Sequence, residues 1–176
     1  LATGLPVTFA EVNLEAERLH CELLDRAGGN GLALVLDYGY PSDRLYDPRG
    51  RKAGTLVAYR EHRLENDVLR DPGSQDLTAH VNWDDLRRAG RSRDWCEIGL
   101  WPLAEFLIRA GLEEAMEREG MGPEAELNAA TVTQRQEIKR LLDPDGMGSD
   151  LKVLVQGRGE LAVVAEESLV LPAARG

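Results

Sequence analysis

A chain of 176 residues that is 43% hydrophobic has room for one globular domain, and its formal charge of -10 argues against nucleic-acid backbones and anionic membranes as main partners, because both call for a basic surface. Its two cysteines, Cys21 and Cys96, show neither zinc-site spacing nor the density of a disulfide framework, which fits a reducing compartment. No apolar run reaches the roughly 18 residues of a membrane span and no basic-then-apolar leader opens the chain, so a cytoplasmic protein is expected.

In chain order, Val7 to Val12 reads as a short strand, and Asn13 is placed to cap a helix running to about Arg26, with Ala16, Leu19 and Leu23 at helical spacing and Gly28-Gly29 as its stop. Leu32, Ala33, Leu34, Val35 and Leu36 form a short apolar run, the pattern of a strand buried on both faces of a parallel sheet. Together these predict a right-handed strand-helix-strand crossover. His20 and Cys21, inside the helix, read as structural.

The apolar run breaks into Asp37, Tyr38, Gly39, Tyr40 and Pro41. Ligands of open α/β sheets bind beyond the carboxyl ends of strands, which makes Asp37 and Tyr38 site candidates, with a solvated loop acid as the plainer alternative. Tyr40 to Gly54, rich in Pro, Gly, Asp and Arg, predicts a surface loop at that end of the sheet, the kind from which lids are drawn. Thr55 to Arg60 alternates as a short strand, and Glu61 to Pro72 is charged and expected to be irregular.

Asp76 to Val81 alternates again, with Asp76, Thr78 and His80 on one face of a strand and Leu77, Ala79 and Val81 on the other. Such a polar row lines a cleft or, on an edge strand, faces water. A short helix entered from Asn82 or Trp83 and running through Asp84 and Asp85 to Gly90, a strand from Trp95 to Leu100 and a helix from Pro102 to near Gly111 follow. Helical stretches then cover Glu113 to Glu119 and Pro123 to Leu142, the latter with Leu127, Thr131, Ile138 and Leu141 loosely on one stripe, a periodicity that marks them as amphipathic within a single domain. After the turn Asp143-Pro144-Asp145-Gly146, the runs Leu151 to Gln156 and Leu161 to Ala165 predict a terminal antiparallel hairpin.

Three of these stretches carry a family resemblance. Asp37-Tyr38-Gly39-Tyr40, Gly54-Thr55-Leu56-Val57-Ala58-Tyr59-Arg60-Glu61-His62 and Asp71-Pro72-Gly73-Ser74-Gln75-Asp76-Leu77-Thr78-Ala79-His80-Val81 occur in the order found in MidA-like class I methyltransferases, relatives of the mitochondrial arginine methyltransferase that assists complex I assembly. Phe106-Leu107 with Gly111, and Met147-Gly148 before Leu151-Lys152-Val153-Leu154, extend the similarity to roughly Phe9 to Val155. One departure is Leu103, where members of the family place Gln. The family's upstream glycine-rich cofactor loop has no counterpart, since Gly28-Gly29-Asn30-Gly31 precedes a strand instead of joining a strand to a helix. The resemblance therefore implies an α/β chain carrying the carboxyl-terminal, substrate-side portion of a Rossmann-like class I sheet, with S-adenosyl-L-methionine as cofactor of the complete enzyme and a protein arginine as substrate. Tyr59 and His62 join the candidates through it, because the segment bearing them borders the family's cleft, and the resemblance also implies that the helices within residues 84–142 are an insertion capping that cleft.

Arginine methylation asks little acid-base chemistry of the protein. A guanidinium is protonated at neutral pH, and a carboxylate gripping it draws its charge away from the attacking nitrogen. Asp37 or Asp76 suits that task, and His80 either takes the released proton or orients Asp76. Tyr38, Tyr59, His62 and Thr78 are expected around the substrate. Asp37, His62, Asp76 and His80 match no compact metal motif, and Ser42, Ser74, Ser92 and Cys96 have no nucleophile elbow. The alternative class is a non-catalytic assembly module of the same fold. In either case an unpaired sheet edge predicts self-association or a complementing amino-terminal half.

Overall fold

The computed structural model describes residues 10–47, 49, 54–65, 67–71, 73–122 and 128–170. In chain order these form α1 (Leu14–Ala27), β1 (Gly31–Tyr40), α2 (Ser42–Leu45), β2 (Val57–Arg60), β3 (Arg63–Glu65), β4 (Asp76–Thr78), β5 (Val81–Asn82), α3 (Trp83–Arg91), β6 (Cys96–Pro102), α4 (Leu103–Arg109), α5 (Leu112–Arg118), α6 (Ala129–Leu141), α7 (Met147–Asp150), β7 (Leu151–Arg158) and α8 (Glu160–Ser168). Among the described residues the main sheet has the order β5-β1-β7-β6, and β3-β2-β4 form a small antiparallel sheet beside it.

Capping explains several boundaries. The Asn13 side chain accepts from the Ala16 amide at 3.0 Å and starts α1, and Gly28, at φ 78°, closes it. Asn82 caps α3 in the same way. Asn128 and Thr131 form a reciprocal capping box at the start of α6, so Thr131 serves the helix end instead of the apolar stripe expected of it. Val7 to Phe9 and Pro123 to Leu127 lie outside the described residues, Ala10 to Asn13 have no regular structure, and the expected first strand and its crossover are therefore not described.

β7 lies between β1 and β6 and runs antiparallel to both, and β5 joins β1 in parallel through Gly39 with Val81 and Tyr40 with Asn82. One core cluster gathers Trp83, Leu86 and Leu154 with Val35, Val81 and Leu100. The other gathers Leu103, Val153 and Val155 with Ile98, Trp101, Phe106 and Leu107. The α/β class is as expected, but burial of β1 on both faces is not. Val35 packs into the first cluster, whereas Leu34 and Leu36 are 55% and 53% exposed. Paired residues of an antiparallel ladder share a face, so Leu34 and Leu36 continue the face of Val155 and Val153 beyond the reach of the second cluster.

Other differences have local causes. Leu161 to Ala165 are helical, so no terminal hairpin forms; β7 finds its antiparallel partners in β1 and β6. Gly159, at φ 70°, turns the chain, Asn30 accepts from the Leu161 amide at 2.9 Å, and α8 sits so close to β7 that a Cβ on Gly157 would lie 2.7 Å from Ala162 Cα. The small Ala162 and Ala165 are the buried positions of α8, a helical spacing hidden inside a continuous apolar run. The span 84–142 is interrupted by β6, an edge strand of the main sheet. Glu61 to Pro72 is partly ordered as β3, and Asp76 to Val81 is two short strands serving different sheets.

Candidate functional site

β1 delivers Asp37 and Tyr38 to the end of the main sheet, next to the small sheet. Val57 and Tyr59 lie two residues apart on β2 and share a face, and Thr78 of β4 is the direct partner of Val57. The chain then leaves β4 and crosses to β5 through Ala79 and His80. Asp37, Tyr38, Thr55, Val57, Tyr59, Thr78, Ala79 and His80 thus enclose a hollow of about 410 Å³.

Within it, Asp37 Oδ1 accepts from the Tyr38 amide at 2.7 Å, which restrains the carboxylate against the backbone of β1, and the strand continues past it to Tyr40. The His80 ring lies 5.2 Å from the Tyr40 ring at 58°, and its backbone amide faces Thr55 Oγ1 at 3.4 Å. Tyr38 and Tyr59 are 44% and 42% exposed and present aromatic surface to the opening. Carboxylate, two phenol rings, hydroxyl and imidazole around one hollow suit a planar cation with several N–H donors.

Two candidates stand apart. Asp76 pairs with Tyr59 on β2, on the same face as Thr78, but it is not among the described lining residues. His62 and Glu61, at φ 63° and 51°, form the two-residue connection between Arg60 and Arg63, and this hairpin tip holds His62 outside the hollow. None of the described lining residues comes from 84–142. Among the described residues no group of three His, Cys, Asp or Glu is placed to hold a metal ion, and no helix is long and apolar enough to cross a membrane.

A second, smaller hollow of about 50 Å³ lies behind the first and shares Thr55, Ala79 and His80 with it. Glu11, Tyr46, Asn82 and Asp85 line its far side. Burial pushes the Tyr46 hydroxyl above its ordinary pKa, and the nearby Asp85 and Glu11 carboxylates add to the rise against a hydrogen bond from Asn82. Sequence reasoning passed over Glu11, whose carboxylate accepts from the Thr55 and Leu56 amides at 2.9 and 2.8 Å. The only sequence signal was Gly54 at the other end of that contact, where φ is +76°.

Residues 5–99 match the family model described as "Putative S-adenosyl-L-methionine-dependent methyltransferase". The chain is 34% identical over 161 residues to the fly protein named protein arginine methyltransferase NDUFAF7 homolog, mitochondrial (Drosophila melanogaster), covering 86% of this chain and 32% of that protein. It is 28% identical over 168 residues to the zebrafish protein arginine methyltransferase NDUFAF7, mitochondrial (Danio rerio), covering 93% and 37%. The chain therefore spans about a third of the length of these relatives. Two solved structures from Burkholderia thailandensis are similar in fold. One is of an uncharacterized protein, with TM-score 0.71 and 26% identity over 87% of this chain and 40% of that one. The other holds S-adenosyl-homocysteine, with TM-score 0.70 and 25% identity over 95% and 40%. The cytoplasmic expectation is corrected by the curated relatives, which are named mitochondrial. Sparse cysteines report a reducing environment, which does not separate one intracellular compartment from another.

Proposed function

The chain belongs to the MidA-like family of S-adenosyl-L-methionine-dependent methyltransferases, and on that footing we propose that the hollow at the end of β1 receives an arginine side chain of a protein substrate for methylation. The observation that carries this reading is the convergence of Asp37, Tyr38, Tyr59, Thr78 and His80, from three separate stretches of chain, on one opening. S-adenosyl-L-methionine, when bound, supplies a methyl group already activated on a sulfonium. The described residues give that cofactor no strand-turn-helix cradle, since Gly28 and Gly29 lead from α1 into β1, and they are assigned here to the acceptor side alone.

On that side, Asp37 accepts hydrogen bonds from the guanidinium and holds its positive charge toward the carboxylate, away from the nitrogen that reacts. The faces of Tyr38 and Tyr59 flank the cation, and Thr78 contributes a hydroxyl at the wall. The nitrogen must shed one proton, and the His80 imidazole, held against Tyr40, is the group in the hollow suited to take it. Alignment supplies most of the catalytic advantage in such a reaction, and the short connections between lining residues and sheet provide it.

The test is incubation of the complete enzyme that carries these residues with methyl-labelled S-adenosyl-L-methionine and arginine-containing or lysine-containing peptides. Label on arginine, and its loss in Asp37→Asn, is the expected result. Label confined to lysine would sink the reading. A second reading, an assembly surface, is favoured by the exposed Leu34 and Leu36 on β1. It predicts self-association by light scattering, and a monomer at all concentrations would remove it.

A further inference from the structure

We propose that Glu11 is a positioning residue for the acceptor hollow, acting through a carboxylate clasp on the chain at Thr55 and Leu56; this rests on the arginine reading above and extends it. One oxygen, Oε1, accepts from two successive amides, at 2.9 Å from Thr55 and 2.8 Å from Leu56. Successive N–H groups converge on one anion only when the preceding backbone turns sharply, and Gly54, at φ +76°, makes that turn. A Cβ on Gly54 would lie 2.0 Å from the same oxygen, so glycine is demanded twice, by conformation and by space. The two halves of the clasp are 44 and 45 residues apart in sequence, and charge-assisted bonds of this kind are stronger than neutral ones.

What the clasp fixes is the wall of the hollow. Thr55 is 8% exposed, and its hydroxyl oxygen faces the His80 amide at 3.4 Å. Two residues on, Val57 begins β2 opposite Thr78. Glu11 also accepts the Tyr46 hydroxyl on its backbone carbonyl at 3.2 Å, binding in the stretch that follows α2. One residue outside the hollow therefore ties down the segments that carry Thr55, Val57, Thr78 and His80. Release of the loop moves His80 relative to Asp37, and a shift of about 1 Å between groups that must align is costly.

Glu11→Ala removes the acceptor, and Glu11→Gln keeps a carbonyl oxygen for both amides while deleting the charge. Amide exchange is read at Thr55 and Leu56, with buried Leu154 as the control for folding, and a Gly-Arg-Gly peptide is titrated against the Thr78 and His80 amide signals. In Glu11→Ala, exchange at Thr55 and Leu56 rises about tenfold or more and peptide affinity falls about tenfold, while Leu154 is unchanged. Glu11→Gln stays within about threefold of wild type on both. Unchanged exchange in Glu11→Ala, released amides with undiminished affinity, or a Glu11→Gln as impaired as Glu11→Ala would each overturn the proposal. If wild type ignores the peptide, the arginine reading fails by itself; the clasp is then judged by whether the His80 amide signal moves in Glu11→Ala and not in Glu11→Gln, and a stationary signal overturns it. Should Leu154 lose protection in Glu11→Ala, Glu11→Asp, which withdraws the oxygen by one methylene, is read by the same criteria.

Discussion

The imidazole Nε2–H of His20, on α1, donates to Oε1 of Gln156, in β7, across 2.7 Å and 136 positions of sequence. Both residues are buried, and the Gln156 amide donates onward to the Leu86 carbonyl on α3 at 3.4 Å. This polar contact locks the α1 and α3 layer to the sheet in one register, because a buried hydrogen-bonding group without its partner is costly.

Either His20→Leu or Gln156→Leu should therefore destabilise the protein by about 1–3 kcal/mol, by leaving the other side chain buried and unsatisfied. The double variant should cost less than the sum, since it removes both polar groups together. Urea unfolding followed by tryptophan fluorescence measures all three. Additive losses would mean that the two groups act separately.

Gly39→Ala should weaken the junction between β1 and β5. A Cβ there would lie 2.4 Å from the Val81 carbonyl oxygen and 2.7 Å from Trp83 Nε1, and the buried indole has no room to retreat. A loss of about 1–3 kcal/mol is expected from the forced displacement. Thermal unfolding checks it, and an unchanged midpoint would contradict the close approach.

Asp37→Asn and Asp76→Asn separate the two carboxylates first weighed as the guanidinium partner. Both are exposed, but Asp37 is among the described residues that line the hollow and Asp76, at the start of β4, is not. In the complete enzyme, on the proposed arginine reading, Asp37→Asn should lower arginine methylation about tenfold to a hundredfold, the worth of a charge-assisted pair. Asp76→Asn should lower it by less than about threefold, as expected of an exposed charge away from the hollow. The reverse order, measured as kcat/KM, would move the site toward Asp76.

Asp84 links the turn after β1 to the start of α3. Burial alone would raise its pKa, yet the Ser42 amide at 2.8 Å, the Ser42 hydroxyl and the Arg87 guanidinium outweigh burial and hold the carboxyl below its ordinary value. A carboxyl with a depressed folded pKa stabilises the protein above its unfolded pKa of about 3.9 and loses that contribution as the pH falls through the folded value. Stability should fall more steeply on acidification below about pH 4 in wild type than in Asp84→Asn. Parallel curves from denaturant midpoints across that range would show that Asp84 adds nothing.

Legibility followed distance along the chain. The Asn13 cap, the Gly28 stop and the helical character of α3, α4 and α6 all stood in the sequence, because caps, turns and periodic apolar spacing act within one or two turns of chain. The apparent end of the strand at Leu36 did not hold, since β1 continues through Asp37 to Tyr40 by pairing with β7 and β5. The resemblance to MidA-like methyltransferases was legible for the same reason, resting on short contiguous motifs. Leu161 to Ala165 misled because a five-residue apolar run fits either a buried strand or a helix. The place of His62 outside the described lining was not legible, because a family position shows which segment borders a cleft, while the positive φ at Glu61 and His62 decides which way the tip points.

By itself, then, the sequence determined the helix caps, the α/β class, the family, and the short list from which the hollow draws Asp37, Tyr38, Tyr59, Thr78 and His80. Tertiary structure alone decided that Asp76 to Val81 is divided between two sheets, that Leu34 and Leu36 stay exposed while Val35 is covered, and that Glu11 clasps Thr55 and Leu56. The physical reason is that burial and pairing are set by which distant segments meet, and the apolar attraction that brings them together has no direction of its own.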